Sequence, residues 1–206
     1  MSDKTAASVA LAIYVAGGTL TFAWPLWWQR RRTGSTGFRG INGRLGLAEW
    51  FGGIGFPLAL IISFIAPVLQ LEGVVGPLPF LRATGIQVAG IPIAVAGIIG
   101  TAYAQMAMGN SWRIGIDDSE TTALVRSGVF GLVRNPIYVG MLVFGLGTTL
   151  IAPNAVAIFA YALAVVVIQL QVRLVEEPYL QKAHGESYRQ YRSTVGRFVP
   201  RVGLIR

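Results

Sequence analysis

The 206 residues are 53% hydrophobic and 13% charged, with a mean hydropathy of +0.58, whereas a soluble domain carries about 25% charge. So apolar a chain has too little polar surface to cover itself in water, and too few charges for a disordered or coiled-coil protein; it reads as an integral membrane protein. It has no cysteine and a single histidine, His184, which excludes a disulfide framework, a cysteine nucleophile and a multi-histidine metal centre; no metal site is expected.

The first apolar run, Ala6 to Trp28, contains no charge and is long enough to cross a hydrocarbon core of ~30 Å. Trp24, Trp27 and Trp28 beside Arg30 suit an interfacial anchor. Trp50 to Leu69 is a second span, which Pro57 and Pro67 are expected to bend or end. Gly85 to Met108 is a third, with a small-residue stripe of Ala96, Gly100 and Ala104 that lets another helix approach. Pro136 to Ile151 is short, and a Pro153-Asn154 turn joins it to Ala155 to Val175 as a helical hairpin. Between the first two spans, Gly34, Gly37, Gly40, Gly43 and Gly46 recur every third residue without proline, which suits a cytoplasmic loop and not collagen.

The net charge of +8 takes its meaning from where it sits. All lysines and arginines except Lys4 and Arg82 fall in alternate connecting segments or from Arg173 onward, at the end of the last span and beyond it, as the positive-inside bias predicts. The expected fold is all-α and polytopic, with five membrane helices, an outside N-terminus and a folded helical cytoplasmic C-terminal tail. Tyr179, Leu180, Tyr188, Tyr191, Phe198 and Val199 give that tail apolar faces. The basic excess implies contact with membrane lipids and not with nucleic acid. Residues 1–108 read as a three-helix scaffold and 109–206 as a catalytic half. The setting is a multi-pass protein of the plasma membrane, monomer or homodimer.

Chemistry concentrates in the second half. Arg134-Asn135-Pro136 opens the hairpin: asparagine suits an N-cap and proline the first helical position. The segment reads either as a helix cap with a snorkelling arginine or as an anion site at a helix N-terminus. Glu176 and Glu177 close the fifth span; adjacent helical residues point about 100° apart, so at least one faces the protein. Carboxylates at membrane depth are costly and mark function. These two could pair with Arg134, Arg173 or Arg192, or bind a cationic or hydroxyl-rich ligand.

Ser127-Gly128-Val129-Phe130-Gly131-Leu132-Val133-Arg134-Asn135-Pro136-Ile137-Tyr138-Val139-Gly140 resembles an Arg-His-Pro-x-Tyr-x-Gly signature with its Gly-x-aromatic lead-in. Glu176-Glu177-Pro178-Tyr179-Leu180 resembles Glu-Glu-x-x-Leu. His184 to Tyr191, followed by Arg197-Phe198-Val199-Pro200-Arg201, resembles Phe-Gly-x-x-Tyr-x-x-Tyr with a closing Val-Pro-Arg. Over about residues 109 to 201 this is similar to the isoprenylcysteine carboxyl methyltransferases and related phospholipid methyltransferases. Asn135 departs from the family histidine and can hold no titrating proton.

The resemblance implies methyl transfer from S-adenosyl-L-methionine to a lipophilic small-molecule acceptor drawn from the bilayer, in a cytoplasm-facing site between hairpin and tail. It assigns cofactor contacts to Arg134, Asn135, Pro136, Tyr138, Gly140, Glu176, Glu177, Tyr188, Tyr191 and Arg192, with Glu176, Glu177 and Arg134 as catalytic residues. Glu177→Gln and Arg134→Ala are expected to abolish cofactor binding in a folded protein. Asn110 to Asp117 resembles a segment of bacterial members, in which Arg113 and Asp117 either shape the site or form a loop salt bridge. Two other readings are an NADPH-dependent reductase of sterol-reductase type, whose tail signature is similar, and a non-catalytic lipid-binding protein.

Overall fold

The computed structural model describes residues 1–34, 48–109 and 123–205. The glycine series from Gly37 to Gly46, the Asn110 to Asp117 segment with Arg113 and Asp117, and Asp118 and Glu120 lie outside them. The described residues are helical, with one isolated parallel bridge between Val133 and Gly196 and no strand. We label the α-helices α1 (Asp3–Gly18), α2 (Trp24–Thr33), α3 (Ala48–Leu71), α4 (Thr84–Met108), α5 (Pro136–Ile151), α6 (Ala155–Leu170) and α7 (Glu177–Thr194).

Asp3–Arg31, Ile54–Leu71, Thr84–Met108 and Ala155–Thr194 are long and apolar enough to cross a membrane, and Pro136–Ile151 is a shorter apolar helix. The molecule is therefore a multi-pass membrane protein. With 16 residues, α5 rises about 24 Å at 1.5 Å per residue, short of a full core.

Two helices run on where proline suggests a stop. A π-helical segment, Thr19–Ala23, joins α1 to α2, and a second, Gln171–Glu176, joins α6 to α7. Each ends two residues before a proline, Pro25 and Pro178. Pro25 has no N–H to give the Thr21 carbonyl one turn back. That carbonyl accepts instead from Gln105 Nε2 of α4 at 2.8 Å, so the widened turn is held by a neighbouring helix. The expected end of the fifth element at Val175 is thereby corrected: helix continues through Glu176 and Glu177 and kinks at Gly185, whose φ of 53° and ψ of −121° are non-helical. Pro57 and Pro67 likewise lie inside a continuous α3.

The tightest packing is between α4 and α5. A Cβ on Gly140 would meet the backbone N of Thr101 at 2.6 Å, and one on Gly97 would meet the Gly140 carbonyl at 2.8 Å. Gly90, Ala94, Gly97 and Thr101 form the buried stripe, repeating every three to four residues as close helix contact requires. The expected stripe lies on another face: Ala96 and Gly100 are exposed, and only Ala104 is buried.

At one end Asn154 caps α6, its Oδ1 accepting from Ala157 N at 2.9 Å. Its Nδ2 donates to Gln70 Oε1 at 3.0 Å and to the Ala66 carbonyl at 3.1 Å, and Gln70 Nε2 donates to the Asp3 carbonyl. Asp3 pairs with Arg82 through two hydrogen bonds. One polar chain thus ties α1, α3 and α6 together at the sparsely charged end.

Candidate active site

At the opposite end the chain enters α5 through Val133, Arg134 and Asn135. Their backbone pairs with the arm after α7: Arg134 N–H donates to the Gly196 carbonyl at 2.8 Å and Asn135 N–H to the Arg197 carbonyl at 3.2 Å. This puts the hairpin start, the end of α6 and the arm in one place. Pro136 is buried as the first residue of α5. Asn135 occupies the N-cap position, but its side chain makes no capping bond; Nδ2 donates to the Arg197 carbonyl at 3.1 Å. The expected capping role is corrected to a bond that holds the arm.

Arg134 is buried, and its fork is filled by the protein. Nη1 donates to the Arg192 and Val195 carbonyls at 2.8 and 3.0 Å, and Nη2 to Glu177 Oε1 at 2.7 Å and the Gly203 carbonyl at 3.2 Å. Arg197 closes on the same carboxylate, Nε to Oε1 at 2.7 Å and Nη2 to Oε2 at 2.8 Å. The Arg197 guanidinium is held above its ordinary pKa, chiefly by its bond to Glu177. Arg134, Glu177 and Arg197 therefore form a clamp on the arm, and the forked donor that the sequence offered to a cofactor is used internally.

Glu176 differs from its neighbour. The Tyr138 hydroxyl donates to Glu176 Oε1 at 2.5 Å, and this partner is neutral. Both glutamates thus engage the protein, within the expectation that at least one would; the π-helical turn widens the helix where they emerge. Among the described residues no arginine or lysine pairs with Glu176. Tyr138 also meets the Phe56 ring edge-on, and Phe56 meets Phe22, so an aromatic row leads from the first π-helical segment to Glu176.

Tyr188 and Tyr191 are buried in the last turns of α7 with their rings 6.2 Å apart, and the Tyr191 hydroxyl donates to the Phe130 carbonyl at 2.5 Å. Tyr191 thereby seats the tail under the Gly-x-aromatic turn. Gly140 faces α4 and its close approach is to Thr101, which gives this glycine a packing role. Arg173 points away, its Nε on Gln169 Oε1.

Arg134 Nε, Gln171 Oε1, Gln181 Oε1 and Arg192 Nε are buried without a hydrogen-bond partner, and all belong to this end of the molecule. Orphaned buried groups are costly. Here they include both donors and acceptors, at the end of the molecule where Glu176 meets no cation among the described residues. Arg197 and Gln171 are the site residues the sequence reading did not single out. Arg197 was visible in the Arg-Phe-Val-Pro-Arg stretch; Gln171 carried no signal, since only the π-helical turn brings it to Glu176.

A family model described as phospholipid methyltransferase matches residues 86–187, a span that contains the hairpin, both glutamates and the first part of the tail. Over this span the chain is similar to the phospholipid methyltransferase family. Relatives include the protein-S-isoprenylcysteine O-methyltransferase of Schizosaccharomyces pombe, 36% identical over 37% of this chain and 33% of that protein. Protein-S-isoprenylcysteine O-methyltransferase A of Arabidopsis thaliana is 32% identical over 54% of this chain and 57% of its own length. Form B from the same plant is 28% identical over 70% and 73%. The chain thus spans about a third to just over half of the first two relatives. The solved structure of a eukaryotic intramembrane Ras methyltransferase, isoprenylcysteine carboxyl methyltransferase, superposes with a TM-score of 0.61 at 18% identity, over 94% of this chain and 67% of that one. The family fold thus extends to the first spans, beyond the motif-bearing part.

Proposed function

We propose that the protein is an integral membrane methyltransferase of the plasma membrane. It takes the methyl group of S-adenosyl-L-methionine and passes it to a lipophilic acceptor that arrives from the bilayer. The observation that carries the reading is Glu176: an inward-facing carboxylate held by Tyr138, with no cation of the described chain beside it. The names of the relatives support the class of reaction, and nothing in the site favours the reductase or the non-catalytic reading.

The residues present fit that cofactor. Its ammonium and ribose hydroxyls are the donors that Glu176 and the orphaned Gln171 and Gln181 oxygens lack, and its carboxylate is the acceptor that Arg192 Nε lacks. When bound, it supplies a methyl group already attached to a positive sulfur leaving group. Tyr138 fixes the Glu176 carboxylate, Asn135 holds the arm, and the Arg134–Glu177–Arg197 clamp keeps α7 closed under the hairpin, excluding water. Positioning and desolvation then contribute much of the acceleration. An acceptor that is already a carboxylate needs no base; a phenol, thiol or amine gives its proton to Glu176.

Glu176→Gln tests the assignment because this side chain lies outside the clamp. Hydrogen bonds to charged groups contribute about 1.5–3 kcal/mol, so the variant should bind S-adenosyl-L-methionine roughly 10- to 150-fold more weakly by calorimetry, at an unchanged melting temperature. Equal affinity in Glu176→Gln and the parent would refute the site. Incubating the purified protein with methyl-labelled cofactor and native lipid extract should produce a labelled lipid; absence of any labelled species would refute the activity.

A further inference from the structure

We propose that the arm after α7 is a membrane-binding surface, an apolar tip that enters the anionic leaflet beside the start of α5. Exposed apolar side chains on the membrane helices face lipid by default. Those on the arm have no such explanation: Leu132, Val199 and Val202 are 62%, 55% and 59% exposed, and Leu204 joins them, although all four lie outside the spans.

The backbone gathers them. Leu132 precedes the bridge between Val133 and Gly196. Arg197 N–H donates to the Val202 carbonyl at 2.9 Å and Val202 N–H to the Val199 carbonyl at 3.0 Å, so Val199 to Val202 form a tight turn next to the bridge. Pro200 sits at its second position and Arg201 at its third, with φ of 62°. Glycine is the usual residue there; an arginine held in that conformation points to a use for its charge at the tip.

The level of the tip follows from the same bonds. Arg134 and Asn135 pair with Gly196 and Arg197 immediately before Pro136 opens α5, so the arm lies at the plane where that helix meets the bilayer. Trp24, Trp27 and Trp28 are exposed at the same basic end, with Arg31 over the Trp27 ring, as interfacial anchors are. Exposed Arg201 sits in the turn itself and exposed Arg126 lies against Gly131, next to Leu132, and a phospholipid surface carrying negative headgroups supplies both the apolar depth and the counter-charge. A protein partner would need only the first. The clamp on Glu177 and the Arg134 bond to the Gly203 carbonyl hold the turn rigid, so immersion orders nothing new.

The absence of cysteine makes a clean test possible. Val202→Cys and, as a water-facing control, Glu186→Cys are each spin-labelled in the full protein, reconstituted in phosphatidylcholine vesicles with and without phosphatidylglycerol. The Val202 label should collide more with oxygen than with a water-soluble nickel chelate, and the bias should grow with phosphatidylglycerol; the Glu186 label should show the reverse preference. A Val202 label as open to nickel as the control would overturn the proposal, and so would dipolar broadening between labels, which would assign the tip to a second copy. An immersed label indifferent to phosphatidylglycerol would overturn the role given to the arginines.

Discussion

Where the chain turns through Pro153 and Asn154, polar groups are neutral or lie at the rim, and most are linked in one chain: Asn154 on Gln70, Gln70 on the Asp3 carbonyl, Asp3 on Arg82. Only the buried Gln87 amide of α4 is left over among the described residues there. At the other end, two arginines and two glutamates are drawn inward, one carboxylate is doubly paired, and guanidinium donors as well as amide oxygens are left over. The first arrangement buries no charge and links helices. The second sets orphaned donors and acceptors at the end where charges of both signs are buried. Neither polar content nor a single orphaned amide therefore marks a site in a membrane bundle; unmet hydrogen-bonding demand beside buried charge does.

Breaking the inner end should have the largest effect. Glu177→Ala leaves Arg134 and Arg197 facing one another across a buried space, at a cost of about 3–5 kcal/mol. The arm should become sensitive to limited proteolysis, and the melting temperature in detergent should fall sharply. The expectation that Glu177→Gln and Arg134→Ala would leave a folded tail is revised on the same grounds, since both residues belong to the clamp.

Asn154→Ala should have an intermediate effect of about 2 kcal/mol, from the lost cap and the stranded Gln70 oxygen, measured by unfolding in mixed micelles with cofactor affinity unchanged. Smallest is Asp3→Asn. Its partner Arg82 is well exposed, and such pairs contribute at most about 1 kcal/mol. A larger loss in Asp3→Asn than in Glu177→Ala would invert the comparison.

Much of this was legible in residue order. Runs of apolar residues announce the helices, because a bilayer demands length and hydrophobicity that any sequence must declare openly. Basic residues in alternate segments separate the two ends, and the Arg-Asn-Pro and Glu-Glu stretches locate the polar end. The widened turns were written less plainly, in the Trp24-Pro25 and Glu177-Pro178 pairs. Proline removes one hydrogen bond, but whether the helix stops or bulges depends on a neighbour such as Gln105 taking the freed carbonyl.

What residue order by itself determined is which groups are too costly to leave in lipid: Arg134, Glu176, Glu177. What only the tertiary structure decided is how they are divided. Two residues adjacent in the chain met different neighbours, Glu177 a pair of guanidinium groups and Glu176 a phenol, because an extra residue in one helical turn and an arm returning from the C-terminus set which partner lies within reach. Hydrogen bonds and ion pairs act over a few ångströms in three dimensions, and separation along the chain does not encode that distance.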